Sequence, residues 1–249
     1  MKISRLAWAL VLALLLVVSL VVSTPARLLA VVLPGKQLIM QGFAGTLWQG
    51  SASRVLLQLP AGYFHLGSVQ WSLDPLSLLA LAPRLSLRAA WGGQLIEGEL
   101  VLRGQQDIDV INLEGQVAAE LLRHFAPVSI DGMFSLQIAQ LQLRNGLPYS
   151  GDGRLVWQNA AWQSPQGLVH LGSYALEFKQ APQEALFAEV VTLSGPLQAN
   201  GEIELQVRHY QLDILLGSDD ILDNQLRGML SLIAAPEGDD FRIALGGDF

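Results

Sequence analysis

The sequence predicts a mainly β fold: an N-terminal transmembrane helix followed by two duplicated, twisted antiparallel β-sheet units, each with a short helix. Three observations predict it. One long apolar run stands at the N-terminus, the rest of the chain alternates apolar and polar residues in period two, and a set of short words recurs in the same order in both halves.

The apolar run comes first. From Leu6 to Val22 every one of 17 residues is Ala, Leu, Val or Trp except Ser19. Ser23 and Thr24 bring it to 6–24, close to the roughly 17–25 residues of a spanning helix. Leu6, Trp8, Leu10, Leu14, Val18 and Val22 are the expected membrane-anchor residues. The run exceeds the apolar region of about 7–15 residues in a signal peptide, and no A-x-A triplet closes it, so it reads as an uncleaved anchor. Lys2 and Arg5 precede it with no acid, which puts residues 1–5 in the cytoplasm and everything beyond 24 outside the cytoplasmic membrane. Residues 25–44 form a membrane-proximal segment. There Thr24-Pro25 reads as an N-cap and first helical position, with a short helix over Pro25–Leu33 ended by Pro34-Gly35.

The exported part divides into a first β unit, 45–150, and a second, 151–249. Leu66, Val69, Trp71 and Leu73 bracket polar residues; Phe134, Leu136 and Ile138 alternate with Ser135 and Gln137; Ile203, Leu205 and Val207 alternate with Glu204, Gln206 and Arg208. Such alternation marks strands with one dry and one wet face. Turns are expected at Asn145-Gly146, Gly151-Asp152-Gly153, Asn200-Gly201 and Pro236-Glu237-Gly238. Short helices are expected at Gln116–Phe125 and Ser218–Asn224, with a weaker one at Pro75–Leu81 behind Asp74.

The repetition is ordered. His65-Leu66-Gly67-Ser68 returns as His170-Leu171-Gly172-Ser173, and Trp48-Gln49-Gly50-Ser51-Ala52 has a counterpart in Trp157-Gln158-Asn159-Ala160-Ala161. Gly98-Glu99-Leu100 resembles Gly201-Glu202-Ile203, and the strand word Gly132-Met133-Phe134 resembles Gly228-Met229-Leu230. The order never changes while the offsets shrink, as duplicated strands joined by unequal loops require. The seam is expected near Leu147–Gly153.

Composition narrows the function. Apolar types make up 51% of the 249 residues and charged types 15%, with a net charge of −7. No nucleic-acid partner is expected, since no basic run offers phosphate contacts. With no cysteine there is no disulfide framework, thiolate metal site or cysteine nucleophile. His65, His124, His170 and His209 lack zinc-site spacing, no G-x-S-x-G elbow occurs, and Asp219-Asp220 with Asp223 lacks the glycine and glutamate of a calcium loop. No catalytic, cofactor-binding or metal-binding residue is assigned, and the chain is not expected to be an enzyme. Trp48, Trp71, Trp91, Trp157 and Trp162 are suited to a sugar- or lipid-binding face, but core packing is the commoner use of tryptophan.

The order of features carries a resemblance. A basic N-terminus, one spanning helix and a Pro-containing segment lead to Gly45-Thr46-Leu47-Trp48-Gln49-Gly50. Trp71-Ser72-Leu73-Asp74-Pro75-Leu76 comes next, and then Gly153-Arg154-Leu155-Val156-Trp157. The chain resembles the protein N family of the bacterial type II secretion system, with Gly45, Trp48, Gly50, Trp71, Pro75, Gly153 and Trp157 as structural motif residues. The resemblance implies a single-pass inner-membrane accessory subunit with a periplasmic C-terminal domain. Its partners would be other type II secretion subunits, and its task would be the export of folded periplasmic proteins across the outer membrane. A second reading, favoured by doubled apolar residues such as Leu56-Leu57 and Val190-Val191, is a lipid-handling module with an apolar β groove.

Overall fold

Among the described residues fourteen strands carry the fold, and helices are few. The computed structural model describes residues 5–29, 38–59, 62–104, 106–124, 129–164, 167–180, 185–206, 209–218 and 224–248. These fall into two compact units, Met1–Gly92 and Gly93–Phe249.

The first unit begins with helix α1, Arg5–Val22, and a 3₁₀ turn at Ala26–Leu28. Strands β1 (Leu38–Gly45), β2 (Gln49–Leu59), β3 (Gly62–Leu73) and β4 (Arg84–Trp91) then pair antiparallel in chain order, with helix α2 (Pro75–Leu79) between β3 and β4. The alternation read from sequence is visible in β4, where Leu85, Leu87, Ala89 and Trp91 turn to the drier face and Arg84, Ser86, Arg88 and Ala90 to solvent. Ala26, Ala52, Val55 and Trp71 are buried together, with Phe43, Leu66, Val69 and Leu87 packed around them. Small residues at positions 26 and 52 let the 3₁₀ turn lie directly on the sheet.

The second unit is a longer antiparallel meander. Its strands are β5 (Gln94–Leu102), β6 (Ile108–Ala118), β7 (Ile130–Arg144), β8 (Leu147–Ser164), β9 (Gly167–Gln180), β10 (Leu186–Ser194), β11 (Gln198–Gln206) and β12 (His209–Gly217). Strand β14 (Asp240–Asp248) pairs with β12, and β13 (Ala235–Glu237) lies outside β14. Helix α3, Asn224–Ile233, lays Leu226 and Leu230, with Ala234 just past its end, on Leu171, Tyr174, Leu197, Leu216 and Phe241. The four-residue spacing of these three positions is one face of a helix.

Several expected elements are corrected. The Gly228-Met229-Leu230 word lies in α3 rather than in a strand, because burial of Leu226, Leu230 and Ala234 follows helical spacing. Of the helix expected at Ser218–Asn224, residues 219–223 lie outside the described residues, and α3 is described over Asn224–Ile233. Over Gln116–Phe125, β6 runs on through Ala118 and only a 3₁₀ helix, Ala119–His124, comes after it; Phe125 is outside the described residues. Proline-led Pro25–Leu33 yields the 3₁₀ turn Ala26–Leu28, and residues 30–37 are not described. Gly151-Asp152-Gly153 lies inside β8 and Asn200-Gly201 inside β11. Both glycine words are sites of close approach rather than turns. A Cβ on Gly153 would fall 2.7 Å from the Phe178 ring. By contrast Asn145-Gly146 is the β7–β8 turn, with both φ values positive (52° and 78°) as a tight hairpin demands. Helix α2 forms as expected behind Asp74, whose carboxylate accepts the Leu76 N–H at 3.0 Å.

Tyr174 ties the second core together. Its hydroxyl lies 2.9 Å from both the Leu171 and Leu197 carbonyl oxygens, and burial pushes its pKa up to about 12. The unfolded phenol ionises near 10. The fold therefore favours the neutral phenol, and this contribution is complete below pH about 10 and lost as pH rises toward 12. Tyr174→Phe should cost about 1–2 kcal/mol, because the one O–H shared by two buried carbonyls is lost. It should also flatten the stability–pH curve above pH about 10. Equilibrium denaturation at neutral and alkaline pH checks both.

Candidate functional site

The motif residues of the first unit converge where α1 meets the sheet. A helix C-terminus leaves its last carbonyls unpaired, and in α1 the residues just beyond the helix and the β1–β2 turn supply donors to them. Ser23 Oγ donates to the Ser19 carbonyl at 2.7 Å and Thr24 Oγ1 to that of Leu20 at 3.0 Å. The Val21 carbonyl accepts from Trp48 Nε1 at 2.8 Å, across 27 residues of chain. The Leu47 N–H then donates to the Thr24 carbonyl at 2.8 Å, and Pro25 bridges to Thr46. The end of α1 is thus bonded to the β1–β2 turn.

Each motif residue has a local reason. The turn closes through the Thr46 N–H to the Gln49 carbonyl at 2.8 Å and the Gln49 N–H to Thr46 Oγ1 at 3.1 Å. Gly45 enters it with φ of +81°, a left-handed conformation that favours glycine. Gly50 leaves room for Trp71, whose ring atom Cζ2 would lie 2.5 Å from an added Cβ. Trp71, 7% exposed, donates from Nε1 to the Leu47 carbonyl at 3.1 Å and meets Phe43 edge to face at 6.4 Å. The Leu73 N–H donates to the Trp48 carbonyl at 2.7 Å, and Asp74-Pro75 then opens α2. Gly45, Trp48, Gly50, Trp71 and Pro75 therefore share one end of the first sheet. Along α1, Trp8, Leu10, Leu14, Val18 and Val22 are exposed, and the side chain of Leu6 lies outside the described residues. Among the described residues no helix is long and apolar enough to cross a membrane.

Gly153 and Trp157 belong to the second unit. Trp157 Nε1 donates to the Asp131 carbonyl at 3.0 Å, and its ring lies between Phe134 and Tyr174 at 5.6 and 6.1 Å. Trp162 packs on the same core. Trp48, Trp71, Trp157 and Trp162 thus serve packing and main-chain anchoring. The expected seam at Leu147–Gly153 falls on β8.

One polar cluster left no motif in the sequence. Asp109 is 3% exposed, and its carboxylate accepts from Arg103 Nε at 2.5 Å while Arg144 Nη1 lies 2.7 Å from its other oxygen. Burial would raise this carboxyl's pKa, but the two guanidiniums outweigh it and hold the pKa below the usual carboxylate range. A buried charge with two partners pins β6 to β7 and to the loop after β5. Its only sequence signal is an acid beside Val110 in an otherwise apolar strand start.

A concavity of about 560 Å³ lies over β6–β9, lined by Glu114, Asp152, Arg154, Glu177 and Lys179 among others. Among the described residues, no group of three or more His, Asp or Glu converges as a metal site. His65 accepts the Gly67 N–H at Nδ1, 3.1 Å away, a local strand contact.

The family model for type II secretion system protein N matches residues 36–244, a span that holds every motif residue of the junction and of the second unit. The chain belongs to the type II secretion system protein N family. Neither the curated proteins nor the solved structures provide a match. Membership in the protein N family makes the chain a component of the type II secretion system and implies contacts with its other components.

Proposed function

We propose that this chain is a non-enzymatic, single-pass inner-membrane subunit of the type II secretion system. Its N-terminus is cytoplasmic and its β units are periplasmic. It takes part in exporting folded periplasmic proteins through contacts with other subunits. The observation that supports this reading is the junction: Trp48 bonds the last turn of an apolar helix to the first sheet, an arrangement suited to an anchor that carries its sheet as one piece. Sheet edges in such a unit offer unpaired main-chain groups to a partner strand.

Two features support an origin by duplication. Gly67 and Gly172, at matching places in the repeated word, both have positive φ (70° and 142°). Both also sit beside register shifts in the pairing with the preceding strand. The same irregularity at the same word fits copies of one ancestral unit.

Mild-detergent purification of the full chain after gentle crosslinking is expected to recover other type II secretion subunits, and deletion is expected to reduce exoprotein release. Recovery of no such subunit together with normal release overturns the proposal.

A further inference from the structure

We propose that the β3–β4 connection is a second membrane contact, a foot that inserts the leucines of α2 into the lipid interface beside the exit of α1. The proposal rests on the reading of α1 as a membrane anchor.

Topology sets the foot's position. Strand β1 runs toward the junction, β2 runs away from it and β3 returns, so the β1–β2 turn and the β3–β4 connection lie at one end of the first sheet. The paired Leu59 and Gly62, with Tyr63 next to them, lie at the other. Hydrogen bonds make the link explicit. Trp48 Nε1 donates to Val21 at the end of α1, the Leu73 N–H donates to the Trp48 carbonyl, and α2 starts two residues later. The end of α1 and the start of α2 therefore lie at the same end of the first sheet.

The connection is braced from within by its polar groups. Asp74 caps α2 through the Leu76 N–H, Ser77 Oγ accepts from the Arg84 N–H at 2.8 Å, and the Ala82 N–H donates to the Ser77 carbonyl at 3.2 Å. The leucines are turned outward. Leu76, Leu79 and Leu81 are 73%, 83% and 86% exposed. Scattered exposed leucines are ordinary, but three on one short braced loop form a patch. Leu81 also has φ of 52°, where a side chain carries a steric cost and glycine or asparagine is the usual occupant. A leucine held there, exposed, is explained if an apolar medium covers it. Arg27, exposed in the 3₁₀ turn after α1, supplies a cation for headgroup phosphates at the same level.

The chain has no cysteine, so single labels are clean. Full-length Leu79→Cys, Leu14→Cys and Tyr63→Cys variants would each carry a polarity-sensitive fluorophore in vesicles of phosphatidylethanolamine and phosphatidylglycerol. Quenching by spin-labelled lipid is compared with quenching by aqueous iodide. The expected result is lipid quenching at Leu14 and severalfold stronger lipid quenching at Leu79 than at Tyr63. Lipid quenching at Leu14 with Leu79 as open to iodide as Tyr63 overturns the foot and leaves the anchor. Lipid quenching at Leu79 without it at Leu14 overturns the anchor and, with it, a foot that stands beside the anchor's exit, and its absence at both overturns both readings. Protection of Leu79 from both quenchers means that protein covers the patch, which overturns the lipid assignment. All three positions are exposed, so labelling does not disturb the core.

Discussion

Trp71→Ala is expected to destabilise the first unit by about 3–5 kcal/mol, the range for emptying a buried aromatic site. Trp71 fills the space that Gly50 leaves, packs edge to face on Phe43 and holds the Leu47 carbonyl. Its loss removes all three contacts at the point where the helix is bonded to the sheet. Trp71→Phe keeps most of the packing and loses the N–H, so its cost should be nearer 1 kcal/mol. Denaturant titration of the full chain in detergent micelles reads both. Equal costs for alanine and phenylalanine would show that the hydrogen bond, not the packing, holds the junction.

Asp109→Ala should cost about 2–4 kcal/mol. Breaking a buried ion pair typically costs about 3–5 kcal/mol, but Arg103 is half exposed and its guanidinium can return to water. The pH dependence has a definite sign. Asp109's folded pKa lies below the ordinary value of 3.8. Its contribution is therefore present above the unfolded pKa and is lost as pH falls through the folded one. Wild type should lose stability below pH about 4 more steeply than Asp109→Asn, whose side chain has no proton to gain. Parallel acid limbs for the two proteins would show that Asp109 contributes nothing to acid sensitivity. A combined Asp109→Leu, Arg144→Met variant should recover much of the loss, since apolar replacement removes both the charge and its desolvation cost.

The strands were legible because their alternation is set by one dry and one wet face, and β4 obeys it closely. Glycine misled where it serves contact rather than turning. Gly153 makes room for Phe178, and Gly201 lies against the backbone of Asp213 and Ile214, so each word that resembled a turn belongs to a strand interior. The Gly-Met repeat misled for a different reason. A short match of residue types carries no period, whereas Leu226, Leu230 and Ala234 do, and their period is helical. At the junction, Gly45, Trp48, Gly50 and Trp71 stood out as words. The reason for them was invisible, since the Trp48–Val21 bond joins residues far apart in the chain. Ser23 leaves no distinct trace, and Thr24 reads as an N-cap although its hydroxyl bonds back to the end of α1, because a hydroxyl that closes one helix looks in sequence like one that opens the next.

The chain-order pairing of strands within each unit bears on how such a protein is made. A strand whose partner is the one just before it can dock as soon as it is available, so each unit can grow like a zipper while its later strands are still being synthesised. Closing short loops one at a time spreads the entropic cost over many small steps and keeps the growing front to a single unsatisfied edge. The exception comes last: β14 reaches past β13 to pair with β12, and Phe241 on β14 is buried in the same cluster as Leu226 and Leu230 of α3. The second unit therefore completes its core only when the final strand arrives, which makes the C-terminal residues the lock on a structure that otherwise assembles from its first hairpin onward.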